Sequence, residues 1–232
     1  EKGREVVARL AQEADVLIEN FKPGTMEKWG LGPADLEKAN PDLIYVRVSG
    51  YGQTGPNSKK PGYASVTEAF SGFRHLNGFS DRPPVRPNLS MGDTVAGLHA
   101  VLGVLMALLE RRQDRGTGGQ VIDVALYEAM FNLMEGVVPE FDGSGSIREP
   151  SGSTLTGIVP TNTYLCSDDK HVVIGANGDS MDSADRPSYV NRELLAQFNS
   201  GLTNLQAGSC TLAQANLDAI AVLMTIPLIQ GT

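Results

Sequence analysis

The segment Asn88-Leu89-Ser90-Met91-Gly92-Asp93 ends on a carboxylate just ahead of the apolar run Val95 to Leu109. A Gly-Asp step opening a long helix places that carboxylate where backbone N–H groups converge and the helix dipole is positive. This setting favours the charged form, and a charged carboxylate can be a nucleophile. Asp is equally a favoured N-cap, so the local sequence also supports a plain capping role. Arg74, Arg82 and Arg86 stand in the irregular stretch before Asp93. A guanidinium there suits bidentate capture of a second carboxylate, and the alternative is ordinary solvated surface charge.

The elements that must position these groups follow an α/β rhythm. Val6, Val7, Leu10 and Ala14 share one face of a predicted helix over residues 1–14. Asp15-Val16-Leu17-Ile18-Glu19 leaves room only for a short buried strand, followed by the turn-forming Asn20-Phe21-Lys22-Pro23-Gly24. A helix over 32–40 is stopped by Pro41, and Leu43 to Ser49 is a second strand. A long loop over 50–63, punctuated by Gly50, Gly52, Gly55, Pro56, Pro61 and Gly62, has the length of a functional loop. A helix beginning at Ser65, an irregular stretch over 74–92 and a helix over 94–112 come next. A strand over 120–126 and a helix over 127–136 complete the series. The expected fold class is α/β, part of a Rossmann-like parallel-sheet domain plus the start of a smaller α+β domain. The expected boundaries are 1–139 for the first domain and 140–160 for a Gly, Ser and Pro-rich linker. A β-hairpin at 161–180 opens the second domain, and 181–232 is an atypical tail.

Composition narrows the class of function. The chain has 232 residues, 41% hydrophobic and 20% charged, with a net charge of -8. An acidic chain with no basic stripe is a poor binder of nucleic acid, so no nucleic-acid partner is expected. Local cations and helix N-termini still allow an anionic ligand. The two cysteines and three histidines form no metal-ligand pattern, so no metal is expected, and a reducing compartment is the default. The apolar run 95–109 is too short to cross a bilayer and carries His99, so it is expected to be a buried core helix with no membrane partner.

Several segments occur in an order that carries a resemblance. They are Glu19 to Gly24, Asn40-Pro41-Asp42-Leu43-Ile44, Ser49-Gly50-Tyr51-Gly52-Gln53-Thr54-Gly55-Pro56, Pro61-Gly62-Tyr63, Gly92-Asp93, and Gly116 to Val124. Together they resemble the class III CoA-transferases (the CaiB/BaiF group, similar to formyl-CoA transferase) over roughly residues 1–180. Members of that family begin well before this chain does and continue beyond residue 180, so the chain is expected to be a fragment.

The resemblance implies an aspartyl nucleophile, matched by Asp93. Its carboxylate would attack the thioester of a donor acyl-CoA, giving a mixed anhydride and then an aspartyl-CoA thioester that the acceptor acid resolves. Coenzyme A and acyl-CoA are then substrates, with small carboxylic acids as the other partners and no permanently bound cofactor. The resemblance also implies CoA contacts at Asn20, Phe21 and Lys22, a phosphate contact at Lys28, and a pantetheine contact at Gly62 and Tyr63. Formyl-CoA transferase has an acidic residue where Ala64 stands and a lysine where Pro61 stands, with Lys60 adjacent. A glycine-bearing segment, Gly152 to Gly157, falls where the family places an oxyanion loop, and a flexible linker is the alternative. The resemblance implies an interlocked homodimer and a cytoplasmic or mitochondrial-matrix location.

Two other readings stay open on sequence. The α-methylacyl-CoA racemases are similar but use a histidine in the segment that here reads Pro61-Gly62-Tyr63-Ala64. A truncated, inactive member of the family is the other. Arg74, Arg82 and Arg86 would suit a dicarboxylate such as succinate.

Overall fold

The computed structural model describes residues 1–112, 118–158, 161–166 and 169–175. The segment 181–232, expected as an atypical tail, lies outside them. The chain divides into two compact units, residues 1–77 with 82–149, and residues 78–81 with 150–232.

The first unit is built on a parallel sheet. Helix α1 (Lys2–Glu13) leads into β1 (Val16–Glu19), and α2 (Thr25–Lys28) and α3 (Pro33–Leu36) cross over to β2 (Ile44–Ser49). The chain then runs through α4 (Ala64–Phe70), α5 (Phe73–Leu76) and α6 (Met91–Arg112) to β3 (Val121–Ala125) and α7 (Leu126–Phe131). The strand order is β1-β2-β3, with Leu17 opposite Tyr45 and Val46 opposite Ile122. This is the expected parallel α/β sheet.

Alternation along the central strand explains why both faces are covered. Ile44 and Val46 point to one face, against Ala96 and Ala100 of α6 and Met130 of α7. Tyr45 points to the other, against Ala11 of α1, Met26 of α2 and Leu36 of α3. On α1 the apolar positions Val6, Val7 and Leu10 are exposed, and Ala11 is the residue it buries.

Helix α6 departs from its expectation in three ways. It begins at Met91 rather than 94, because Ser90 C=O already accepts the Thr94 N–H at 3.0 Å. It is 22 residues long, so by length and composition it could cross a bilayer; here it lies against the sheet. It is also buried on one side only. Its small residues Ala96, Ala100 and Ala107 let the backbone approach the strands, while Leu98, Leu102, Leu105 and Leu109 on the other side are exposed.

The helix predicted over 127–136 is shorter. After α7 a 3-10 turn spans Asn132–Met134, and Glu135 takes a left-handed φ of 49°, which stops it. The segment expected as a linker from 140 opens inside a helix, α8 (Val137–Ser144). Gly145 ends that helix at φ 69°, and Arg148 folds back to pair with Glu140. Gly143 and Pro139 disguise it in the sequence, since Pro is tolerated in a first turn.

In the second unit, β4 (Thr161–Leu165) and β5 (His171–Gly175) pair antiparallel with Thr163 opposite Val173. Gly152, at φ 68°, donates its N–H to Gly78 C=O at 2.7 Å.

Candidate active site

Three chain segments come together at the carboxyl edge of the sheet, where open α/β sheets bind ligands. The first is Asn20 to Gly24, after β1. The last residue of that strand, Glu19, is buried, and its carboxylate accepts the Phe21 N–H at 2.7 Å and Arg47 Nε at 2.9 Å. The other side of the Arg47 guanidinium donates to both oxygens of Glu27, at 2.6 and 3.2 Å. A cation in the middle of an apolar strand thus ties β1, its exit loop and α2 together. On the same face Tyr45 donates its hydroxyl to Leu31 C=O at 2.9 Å. Burial, with Glu19 nearby, pushes the Tyr45 phenol up to about 12.

Two predictions arise from this tie. Glu19→Ala leaves Arg47 with one carboxylate and Phe21 N–H without its acceptor. A loss of about 2–4 kcal/mol is expected in urea unfolding. Arg47 holds the Glu27 carboxyl below its usual range. A depressed folded pKa means the contribution is complete above the ordinary glutamate value and is lost as pH falls through the lowered one. Glu27 is 44% exposed, which keeps this contribution under about 1 kcal/mol. Glu27→Gln is expected to flatten the acid limb of a stability–pH curve by that amount.

The second segment is the loop after β2. Here Gly50 and Gly62 cross backbone to backbone: a Cβ on Gly50 would lie 2.5 Å from Gly62 Cα. Gln53 N–H donates to Asp123 Oδ2 on β3 at 2.8 Å, and Tyr51 stacks edge-on against Phe70 at 5.3 Å. The loop therefore returns tightly to Tyr63 at the start of α4.

The third segment is the start of α6. Gly92 is buried against Ala64, where a Cβ would meet the Ala64 Cβ at 3.1 Å. Gly92 N–H donates to Glu68 Oε1 at 3.3 Å. Asp93 is the third residue of α6 rather than the residue ahead of it, and it is exposed. Among the described residues its carboxylate makes no hydrogen bond or ion pair, which is not how an N-cap aspartate behaves.

These segments enclose a cleft of about 530 Å³, within the usual range of ligand pockets. Asn20, Phe21, Lys22, Gly62, Tyr63 and Asp93 all line it. So do Lys60 and Arg86. Three cations face one carboxylate there, so the cleft suits an anionic ligand although the chain is acidic. Lys28 stands exposed at the end of α2 and is not among the residues lining the cleft. The glycine-bearing segment 152–157 belongs to the second unit. Of the histidines, His75 faces Glu149 at 3.1 Å and His99 Nδ1 meets the Val95 carbonyl at 2.9 Å. Neither of these lines the cleft, and no histidine is among its lining residues.

A profile of CoA-transferase family III matches residues 1–208. The chain belongs to CoA-transferase family III. It is similar to the succinyl-CoA–D-citramalate CoA-transferase of Chloroflexus aurantiacus, with 46% identity over 180 residues, 78% of this chain and 44% of that protein. It is also similar to the succinyl-CoA:glutarate CoA-transferase of Mus musculus, with 35% identity over 176 residues, 75% of this chain and 39% of that protein. The chain thus spans under half the length of these relatives. Among solved structures, a CAIB/BAIF family protein from Brucella suis superposes with a TM-score of 0.71 at 30% identity, covering 95% of this chain and 56% of that one. Four of the six ordered motif segments supply residues to the cleft lining.

The sequence pointed to the lining residues but not to what holds them. Glu19, Arg47 and Glu68 are buried charges. Their only signal was a charge inside an apolar element: Arg47 between Val46 and Val48, and Glu68 in the first turns of α4. Such residues are rarely buried unless paired, so each demanded a partner.

Proposed function

We propose that the full-length protein transfers coenzyme A between carboxylic acids, with Asp93 as the covalent nucleophile. The observation that carries this reading is the exposed, uncommitted Asp93 carboxylate in a cationic cleft at the carboxyl edge of the sheet. Asp93 attacks the thioester carbonyl of the donor acyl-CoA, and the C–S bond breaks to give a mixed anhydride and CoA thiolate. The thiolate attacks the aspartyl carbonyl, forming an aspartyl-CoA thioester and releasing the donor carboxylate. The acceptor carboxylate attacks that thioester and expels the thiolate again. The thiolate then takes the acceptor's acyl group, and Asp93 returns as carboxylate. All attacking groups are anions, so no general base is required.

Asn20, Phe21 and Lys22 contact the CoA, Gly62 and Tyr63 lie along its pantetheine arm, and Lys60 adds a cation toward its phosphates. The relatives' names favour short dicarboxylic acids, with a succinyl-CoA donor. The absence of histidine from the described cleft lining favours transfer over α-proton exchange as in the racemases. The full-length protein is expected to act as the interlocked homodimer the family resemblance implies.

The test is peptide mass spectrometry of the full-length protein after incubation with succinyl-CoA and hydroxylamine. Hydroxylamine is expected to convert activated Asp93 to its hydroxamate, and only when acyl-CoA is present. Continued turnover with an unmodified Asp93 would overturn the reading.

A further inference from the structure

Glu68 is fully buried, at 0% exposure, on α4. One of its oxygens, Oε1, accepts the Gly92 N–H next to Asp93. The other, Oε2, meets Arg74 Nη2 at 3.1 Å and Arg86 Nε at 3.2 Å. The two arginines are then used differently. Arg74 turns inward, where the same Nη2 also donates to Ser65 C=O and Oγ. Arg86 lines the cleft with Asp93 and is 38% exposed. Its Nε faces Glu68, and among the described residues its two Nη groups make no hydrogen bond. Of the three arginines ahead of Asp93, Arg86 alone lines the cleft.

A guanidinium anchored through Nε presents its Nη end as a fixed fork, the geometry that receives a carboxylate bidentately. The anchor is shared: the carboxylate that orients Arg86 also holds the backbone immediately before Asp93. Receptor and nucleophile are therefore set at a fixed spacing on one buried group, and the acyl chain must fit that spacing.

Resting on the aspartyl reading above, we propose that Arg86, oriented by Glu68, receives the distal carboxylate of a dicarboxylic acyl group while Asp93 attacks its thioester carbonyl. Arg86 is a specificity-determining residue, and Glu68 is a positioning residue acting through it. A monocarboxylic acyl group of equal length leaves the fork empty and gains nothing from it.

The test compares succinyl-CoA with butyryl-CoA as donors, in the full-length wild type and in Arg86→Gln and Arg86→Lys. Glu68 keeps Arg74 in both variants, so its buried charge stays compensated. The ratio of kcat/KM for succinyl over butyryl is expected to fall roughly 10–100-fold in Arg86→Gln. Arg86→Lys should recover only part of it, since an ammonium has no fork to share between Glu68 and ligand. Should Arg86→Gln fail to fold, the drop in the Arg86→Lys ratio alone decides. An unchanged ratio, or an equal loss with both donors, would overturn the proposal. Hydroxamate formation at Asp93 in the wild type separates the two levels. If it appears while the ratio stays put, only the role of Arg86 is lost; if it is missing with turnover intact, the aspartyl reading goes first.

Discussion

Asp93→Ala is expected to lower kcat for CoA transfer by roughly 10⁴-fold or more, the scale seen when an enzyme's covalent nucleophile is removed. The affinity for CoA itself should stay near the wild-type value. The separation follows from the layout of the cleft. The proposed CoA contacts come from the exit of β1 and from Gly62 and Tyr63, whereas Asp93 enters from the start of α6. The substitution removes no structural bond among the described residues, and alanine is a good helix former, so the fold should be unaffected. Initial-rate kinetics of the full-length variant, alongside isothermal titration with CoA, measure both quantities. Wild-type turnover in Asp93→Ala would end the covalent route; lost CoA binding would mean that Asp93 organises the cleft rather than reacting in it.

Gly50→Ala is expected to lower both the stability of the fold and the affinity of the cleft. Its Cβ would sit 2.5 Å from Gly62 Cα and 2.7 Å from Gly62 O, and both are backbone atoms that cannot rotate away. One of the two loops must move, at a cost of about 1–3 kcal/mol or more. For a chain of this size that lowers Tm by about 3–10 °C. Gly62→Ala meets the same crossing from the other side, 2.8 Å from Gly50 Cα, so the double variant should fall well short of additive. Gly97→Ala is the control. Nothing lies within 4 Å of a Cβ there, and α6 should gain slightly from losing a glycine. Both loop variants should also weaken CoA binding, because Gly50 and Gly62 line the cleft. Thermal melts and CoA titrations would check the pair; a Gly50→Ala protein as stable as Gly97→Ala would show that the crossing is slack.

Local patterning carried much of the fold. The apolar run of Leu43 to Val46, and the turn residues Pro23 and Gly24 after Glu19, announced strands β2 and β1. The turn chemistry and the ordered motifs also singled out Asn20, Phe21, Gly62, Tyr63 and Asp93, which line one cleft. These signals are readable because they act within a few residues, through alternation, turns and backbone clearance.

Other features depended on groups far apart in the chain. Residue Lys28 follows the loop closely in sequence yet stands outside the cleft, while Lys60 and Arg86 line it. Helix α6 looked uniformly apolar, and only packing decided that Ala96, Ala100 and Ala107 face the sheet while Leu98, Leu102, Leu105 and Leu109 face outward. The pairing of Glu19 with Arg47, and of Glu68 with Arg86 and the Gly92 N–H, spans 28, 18 and 24 residues. A sequence states which residues carry charge. Which charges are buried together, and which are left facing the cleft, is settled only when chain folding brings distant segments within hydrogen-bond range and removes water from between them.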